Sequence, residues 1–457
     1  MTTRRGFLIG AGATALALSG LLYFIKRHEW GRAPISGTIP GFGPLAPDPG
    51  EVIDLPEGFS YSIVSRAGDI MIDGLPTPGR QDGMACFPHT EDEVLLVCNH
   101  ELGDWPDARE VSPFGPGDKL FHLVHEDKVY DHGLPDARVI GGTTTMLYNV
   151  KEGRLVHQFL SLAGTQVNCA GGLTPWGSWL SCEEFFDGPR GAMQQRHGYV
   201  FEVPASATPG LVEPIPLKDM GRFVHEAACV DHKTGIVYMT QDAVESCLYR
   251  FIPDQPSNLK AGGALEALVI KDRPSARTDN HRRWGGDTIP ENQPLKVSWI
   301  PLENVDYDEN DLAERAIALG AANFSRGEGM WFGSDEFYFS STDGGPERKG
   351  QVWRFDTRAE TLELFIQPGN AALMENLDNL TIAPWGDLII CEDGPIPNYL
   401  RGITPEGEIY NIARGDYYRS EFAGACFSPD GRVLFVNLQD AHMTLAITGP
   451  WRRLQNT

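Results

Sequence analysis

Two stretches of the chain, 209 residues apart, follow one pattern: Pro175-Trp-Gly-Ser-Trp-Leu-Ser-Cys182-Glu183-Glu184 and Pro384-Trp-Gly-Asp-Leu-Ile-Ile-Cys391-Glu392-Asp393. Each reads as a tight turn, a short apolar strand and two adjacent carboxylates where the strand stops. A buried strand has no ordinary reason to finish on paired acids, because an uncompensated carboxylate is costly to desolvate. The pattern therefore predicts a modular fold with cationic compensation where the strands end.

Four further copies extend the repeat. They open at Asp82-Gly-Met-Ala-Cys-Phe, Glu226-Ala-Ala-Cys-Val, Glu328-Gly-Met-Trp-Phe and Glu421-Phe-Ala-Gly-Ala-Cys-Phe. Each has an acidic entry, an inner strand of small residues, a hairpin, a second strand ending near an acid, and an outer strand. Strand periodicity with frequent turn signals runs along nearly the whole chain, and only Asp311–Leu319 reads as helix. All-β with a fixed repeat predicts a six-bladed β-propeller with loop insertions, rather than a two-sheet sandwich. Residues 31–457 shared among six blades give about 71 each, against roughly 40–50 for a lean blade. The excess is assigned to insertions at 103–140 and 272–325. The segment Tyr61–Ser65 is expected to add a strand to the last blade and close the ring.

Residues 1–30 read as a twin-arginine export signal, with Arg4-Arg5-Gly-Phe-Leu ahead of the apolar run Ile9–Ile25. No clean Ala-x-Ala site follows, which leaves an N-terminal membrane tether open. The expected location is periplasmic or extracellular, with the twin-arginine machinery as a partner, and the protein is expected to be a monomer. A net charge of −24 argues against nucleic-acid binding, since no basic phosphate-tracking face is present. The 8 cysteines contain no Cys-x-x-Cys, which argues against structural zinc. Most read as small buried hydrophobes, while Cys169 stands apart in Asn168-Cys-Ala-Gly-Gly.

In a propeller, equivalent strand ends of different blades converge on the axis. Glu101, Glu183, Glu184, Glu226, Glu328, Glu392, Asp393 and Glu421 are therefore candidates for one axial cluster. So many carboxylates cannot share a site while ionised unless cations lie between them. Oxygen donors suit hard ions such as calcium, magnesium, manganese or ferric iron. A Cys169 thiolate would shift the preference towards a transition metal. Arg326, in Ser325-Arg-Gly-Glu-Gly329, offers the fork that an anionic substrate such as phosphate requires. His100 and His225 each precede a cluster acid without a role assigned to them.

Together these motifs resemble the PhoX family of bacterial alkaline phosphatases. The matching pieces are the twin-arginine leader, Asn168-Cys169 through Pro-Trp-Gly to Glu183-Glu184, Phe223-Val-His-Glu226 and Arg326-Gly-Glu328-Gly. They continue through Asp378-Asn-Leu-Thr-Ile-Ala-Pro-Trp-Gly, Cys391-Glu392-Asp393-Gly and Glu421 onward to Trp451, so the resemblance spans about residues 50–452. It implies hydrolysis of phosphate monoesters at an axial cluster of two ferric irons and three calcium ions bridged by an oxo group. It implies Cys169 as the thiolate bridging the irons, and Glu226, Glu328, Glu392 and Asp393 as metal ligands with Glu183 or Glu184 among them. Arg326 would bind phosphate, making Arg326 and Glu328 the catalytic candidates. Gln241-Asp242 stands where the family pattern has Glu-Asp, and Gly327 where it has Pro. The competing readings are a non-catalytic calcium-stabilised propeller that binds a partner, and a calcium-dependent lactonase or esterase. Cys169 and Arg326 have no role in the first and little in the second.

Overall fold

Short runs of β-branched and aromatic residues separated by turn residues pair with their sequence neighbours, because short connections permit antiparallel hairpins. The structure, a computed structural model, describes residues 41–282 and 288–451. The first sheet holds Gln81–Pro88, Glu93–His100, Gly141–Asn149 and Arg154–Thr165. The second holds Asn168–Leu173, Ser178–Glu183 and Val200–Pro204. Two more groups of four start at His225–Val230 and Gly327–Phe332. Leu295–Pro301 joins them into one sheet by pairing with Gly263–Ile270 on one side and Thr361–Ile366 on the other. Leu377–Ile382 starts a further four-stranded sheet. The last contains Phe422–Phe427, Val433–Leu438 and Met443–Thr448, completed by Ser60–Arg66 from the other end of the sequence.

The six first strands lie side by side in chain order, and Phe422–Phe427 returns to Gln81–Pro88, so they close a ring. The all-β propeller expectation holds, and the expected closing strand pairs along Met443–Thr448. Small residues allow this close approach. A Cβ on Gly172 would stand 2.0 Å from the Ala228 carbonyl oxygen, and one on Gly424 would stand 2.1 Å from that of Asp82. Apolar cores fill the spaces between neighbouring sheets. Met84, Leu96 and Met146 of the first sheet meet Val64, Cys426 and Phe435 of the last. Ala85, Leu95 and Val97 on its other face meet Trp179, Tyr199 and Phe201 of the second.

The 103–140 insertion carries a helix that the sequence reading did not place, Pro106–Glu110, and packs Phe114 and Phe121 into an apolar cluster shared with Met71, Leu75 and Leu160. The expected helix forms over Leu312–Ala318. No helix among the described residues is long and apolar enough to cross a membrane. The twin-arginine segment lies outside the described residues.

Candidate functional site

One local irregularity recurs in all six first strands. In the first sheet Gln81 faces His100 and Met84 faces Cys98, so Asp82 and Gly83 together oppose a single residue. The same bulge falls between Asn168 and Gly171, His225 and Ala228, Gly327 and Met330, Leu377 and Leu380, and Ala423 and Cys426. A bulge re-aims the side chain of the extra residue. The residues occupying its first position are Asp82, Cys169, Glu226, Glu328, Asp378 and Gly424, so five of the six first strands place a potential ligand there.

The second strands supply another tier. Each has a last residue paired with the start of the first strand, and the next residue faces the opposite way because side chains alternate along the chain. That next residue is Glu101, Glu184, Asp242 and Asp393 in four of the sheets. Ligand atoms of Cys169, Glu184 and Glu226 lie within 4.8 Å of one another, as do those of Asp82, Glu101 and Glu421, and those of Glu226, Glu328 and Asp378. Glu226 belongs to two of these groups, and the Cys169 thiol lies 3.7 Å from Asp82 Oδ2. Asp393 hydrogen-bonds the Glu421 carboxyl.

Both Glu226 oxygens and Asp82 Oδ1 are buried without a hydrogen-bond partner. Burial pushes the Asp82, Glu184, Glu226, Glu328 and Glu421 carboxyls well above the usual range, and neighbouring carboxylates add to the effect. Burial, with Asp393 beside it, moves Asp378 up to about 8. Burial and then Asp82 push up the Cys169 thiol. Buried carboxylates with bare oxygens, beside one thiol, form a donor set that fits hard cations in the all-oxygen groups and a thiolate-tolerant transition metal at Cys169.

Two arginines border the cluster, each immediately before a first strand. Arg326 forks onto Asp242, with Nε to Oδ1 at 2.8 Å and Nη2 to Oδ2 at 2.7 Å, and its Nη2 lies 3.1 Å from Glu328 Oε1. The Asp242 hydrogen bonds raise its pKa further, against burial, and 42% of the side chain stays exposed. Arg80 bonds Glu101 at 2.9 Å and Gln439 at 2.7 Å. Arg80 and Arg326 have φ of 49° and 53°, and Val167 and Asn376 at equivalent points have 46° and 48°. Left-handed backbone is unfavourable for such residues, above all for β-branched valine, and four repeats of it mark strain concentrated around the site.

The structure brings together Cys169, Glu184, Glu226, Arg326 and Glu328, with Asp393 alongside. It does not bring Glu183 or Glu392 into the groups. Glu183 accepts from His197 Nδ1 at 2.7 Å and from the backbone N–H groups of Gln166, Gly198 and Tyr199. Glu392 accepts from Arg401 Nε at 2.8 Å and from the N–H groups of Glu375 and Tyr399. These are the first acids of the two Pro-Trp-Gly pairs, and pairing with the first strand turns them away from their neighbours Glu184 and Asp393. Gln241 occupies the same register position, where it accepts from Tyr249 Oη at 2.8 Å. His100 and His225 are likewise structural. His100 bonds Gly79 O and Thr144 Oγ1, and burial pushes it down to about 4; His225 bonds Gly221 O and falls, through burial, to about 3.

Asp82, Asp242 and Asp378 are the cluster members that the sequence reading did not assign. A signal for one was present: Asp378 lies 209 residues after Cys169, the same offset that relates Glu184 to Asp393.

Residues 40–442 match the family model described as Alkaline phosphatase PhoX. Among solved structures, Pseudomonas fluorescens PhoX in complex with vanadate, a transition-state analogue, aligns with a TM-score of 0.65 at 19% identity, covering 87% of this chain and 96% of that one. A putative gluconolactonase aligns with a TM-score of 0.40 at 12% identity over 89% of this chain and 97% of its own. A gluconolactonase of Xanthomonas campestris gives 0.42 at 11% identity, over 90% and 99%. No curated protein sequence matches the chain.

Proposed function

The chain belongs to the alkaline phosphatase PhoX family, and from that premise we propose that it is an exported, metal-dependent phosphatase acting on phosphomonoesters at the bulge cluster. The observation that carries the reading is Arg326, held in a fork beside buried carboxylates whose oxygens lack partners. Cys169, Glu184 and Glu226 would hold iron. Asp82, Glu101, Glu421 and the group of Glu328 and Asp378 would hold calcium, with Asp393 beside them. When bound, these ions supply Lewis acidity at the phosphoryl group and offset its charge.

The chain's own residues do the rest. Asp242 and Glu328 fix the Arg326 guanidinium from one side, so its exposed edge meets two phosphoryl oxygens without a conformational search. The group remains charged at any working pH, and its donors strengthen as charge builds on those oxygens. Carboxylates on the surrounding strands repel an anion unless cations are present, which ties phosphate binding to metal loading.

The test pairs metal analysis of the purified protein with hydrolysis of an aryl phosphate before and after calcium chelation. Iron and calcium in the protein, with turnover lost on chelation and restored by calcium, are expected. Calcium without iron and no turnover at alkaline pH would overturn the reading. Export is tested separately by following the protein in cells with Arg4 and Arg5 changed to Lys, where it should stay in the cytoplasm.

A further inference from the structure

A bulge takes its extra residue out of the strand ladder, so a buried carbonyl there needs a partner from elsewhere. In four of the six first strands that partner is a side chain on the second strand of the preceding sheet. Asn99 Nδ2 donates to the carbonyls of Cys169 at 3.0 Å and Ala170 at 2.6 Å. Thr240 Oγ1 donates to that of Glu328 at 2.7 Å, and Ser340 Oγ to that of Asp378 at 2.7 Å. Asn437 Nδ2 donates to that of Asp82 at 2.6 Å, which carries the pattern across the seam where the ring closes. All four side chains belong to residues no more than 2% exposed.

Three of these donors hold one place in the repeat. Asn99, Thr240 and Ser340 are the single residues that oppose the bulges of their own sheets, and Asn437 lies one residue past that place in the last sheet. Cys182 and Cys391 fill the place in the two Pro-Trp-Gly sheets. Packing there is thus met by a small side chain with little hydrogen-bonding capacity, and the amides and hydroxyls point to a further task. Each of them grips the residue that bears a ligand. Thr240 does so twice, because its hydroxyl also accepts from the Ala227 N–H at 3.1 Å. It ties the residue after Glu226 to Glu328, and those two acids form one cation group with Asp378, whose backbone Ser340 holds.

We propose that Asn99, Thr240, Ser340 and Asn437 are positioning residues that aim the metal ligand of the next sheet through its backbone, and that Thr240 and Ser340 preset the Glu226–Glu328–Asp378 group for calcium. This rests on the metal-dependent reading above. Fixing a carbonyl fixes its peptide plane, and with it the direction in which the side chain leaves the strand. Less ordering is then left for the ion to impose. Because each bond crosses between sheets, a defect in one sheet reaches the ligand of its neighbour.

The experiment measures calcium affinity by titration calorimetry on calcium-stripped protein, beside its melting temperature, for wild type, Thr240→Val, Thr240→Ser and Ser161→Ala. Valine keeps the shape and removes the hydroxyl, whereas serine keeps the hydroxyl. Ser161 is a buried control on the outer strands of the first sheet, where it donates to the Thr143 carbonyl at 3.2 Å. Thr240→Val should weaken calcium binding by about 10–100-fold, the usual effect of removing a group that orients a metal ligand, and Thr240→Ser should restore it. Ser161→Ala should lower the melting temperature and keep wild-type calcium affinity. Ser340→Ala should behave as Thr240→Val does, and it decides the outcome if the valine variant does not fold. Wild-type affinity in folded Thr240→Val, or an equal loss in Ser161→Ala, overturns the proposal and leaves the metal-dependent reading standing. Wild type that binds no calcium overturns both.

Discussion

Arg326 has its position fixed by two carboxylates and a left-handed backbone. Arg and Lys differ most at such a place, because a lysine keeps the charge but loses the planar fork. Arg326→Lys should therefore lower kcat/KM on an aryl phosphate by about 10²-fold, in line with the loss of a fixed transition-state donor. Its melting temperature should stay close to wild type, since the side chain is partly exposed. Steady-state kinetics beside thermal denaturation checks both halves. Arg401 is the contrasting case. It neutralises Glu392 with side chains 6% and 2% exposed, so Arg401→Met leaves a buried charge bare and should cost about 3–5 kcal/mol, read by urea denaturation.

Among the elements, the first strands and their bulges decide which acids serve the axis. The repeat and the closing strand were legible in the sequence because each follows from spacing; Glu226 and Glu328 were marked as candidates by their place in the repeat, and Cys169 was assigned a role only by the family resemblance. The split within Glu183-Glu184 and Glu392-Asp393 was not, because adjacent carboxylates look alike until pairing fixes which face each takes. Asp82 and Asp378 were hidden for a related reason. A bulge breaks the alternation of two that sequence reasoning relies on, and turns a residue within a strand towards the axis. Glu184→Gln should lower the bound metal stoichiometry, whereas Glu183→Gln should keep the metals and lose stability, checked by elemental analysis and denaturation of both. The Glu183 partner adds a pH signature. Burial disfavours charge on His197, but Glu183 and then Asp131 outweigh it and raise the imidazole to about 9. A raised pKa contributes stability below about 6.5, the ordinary histidine value, and loses it as pH rises through about 9. The melting temperature of wild type should fall across that window relative to His197→Gln.

The whole molecule carries a charge of −24, with much of its buried acid gathered at one axis and, among the described residues, Arg80 and Arg326 bordering it. Cations that bind the folded ring and not the open chain stabilise it by mass action. Chelation should therefore lower the melting temperature by at least several degrees, and calcium should restore it, as calorimetry would record. The ring closes through Ser60–Arg66 against Met443–Thr448, and one cation group draws Asp82 and Glu101 from the first sheet and Glu421 from the last. A ribosome makes the two partners of that closing seam at opposite ends of its task. A polypeptide cut short before the final strands has no seam and cannot assemble the Asp82–Glu101–Glu421 pocket. Metal binding by those three carboxylates, as proposed above, would therefore require the completed chain.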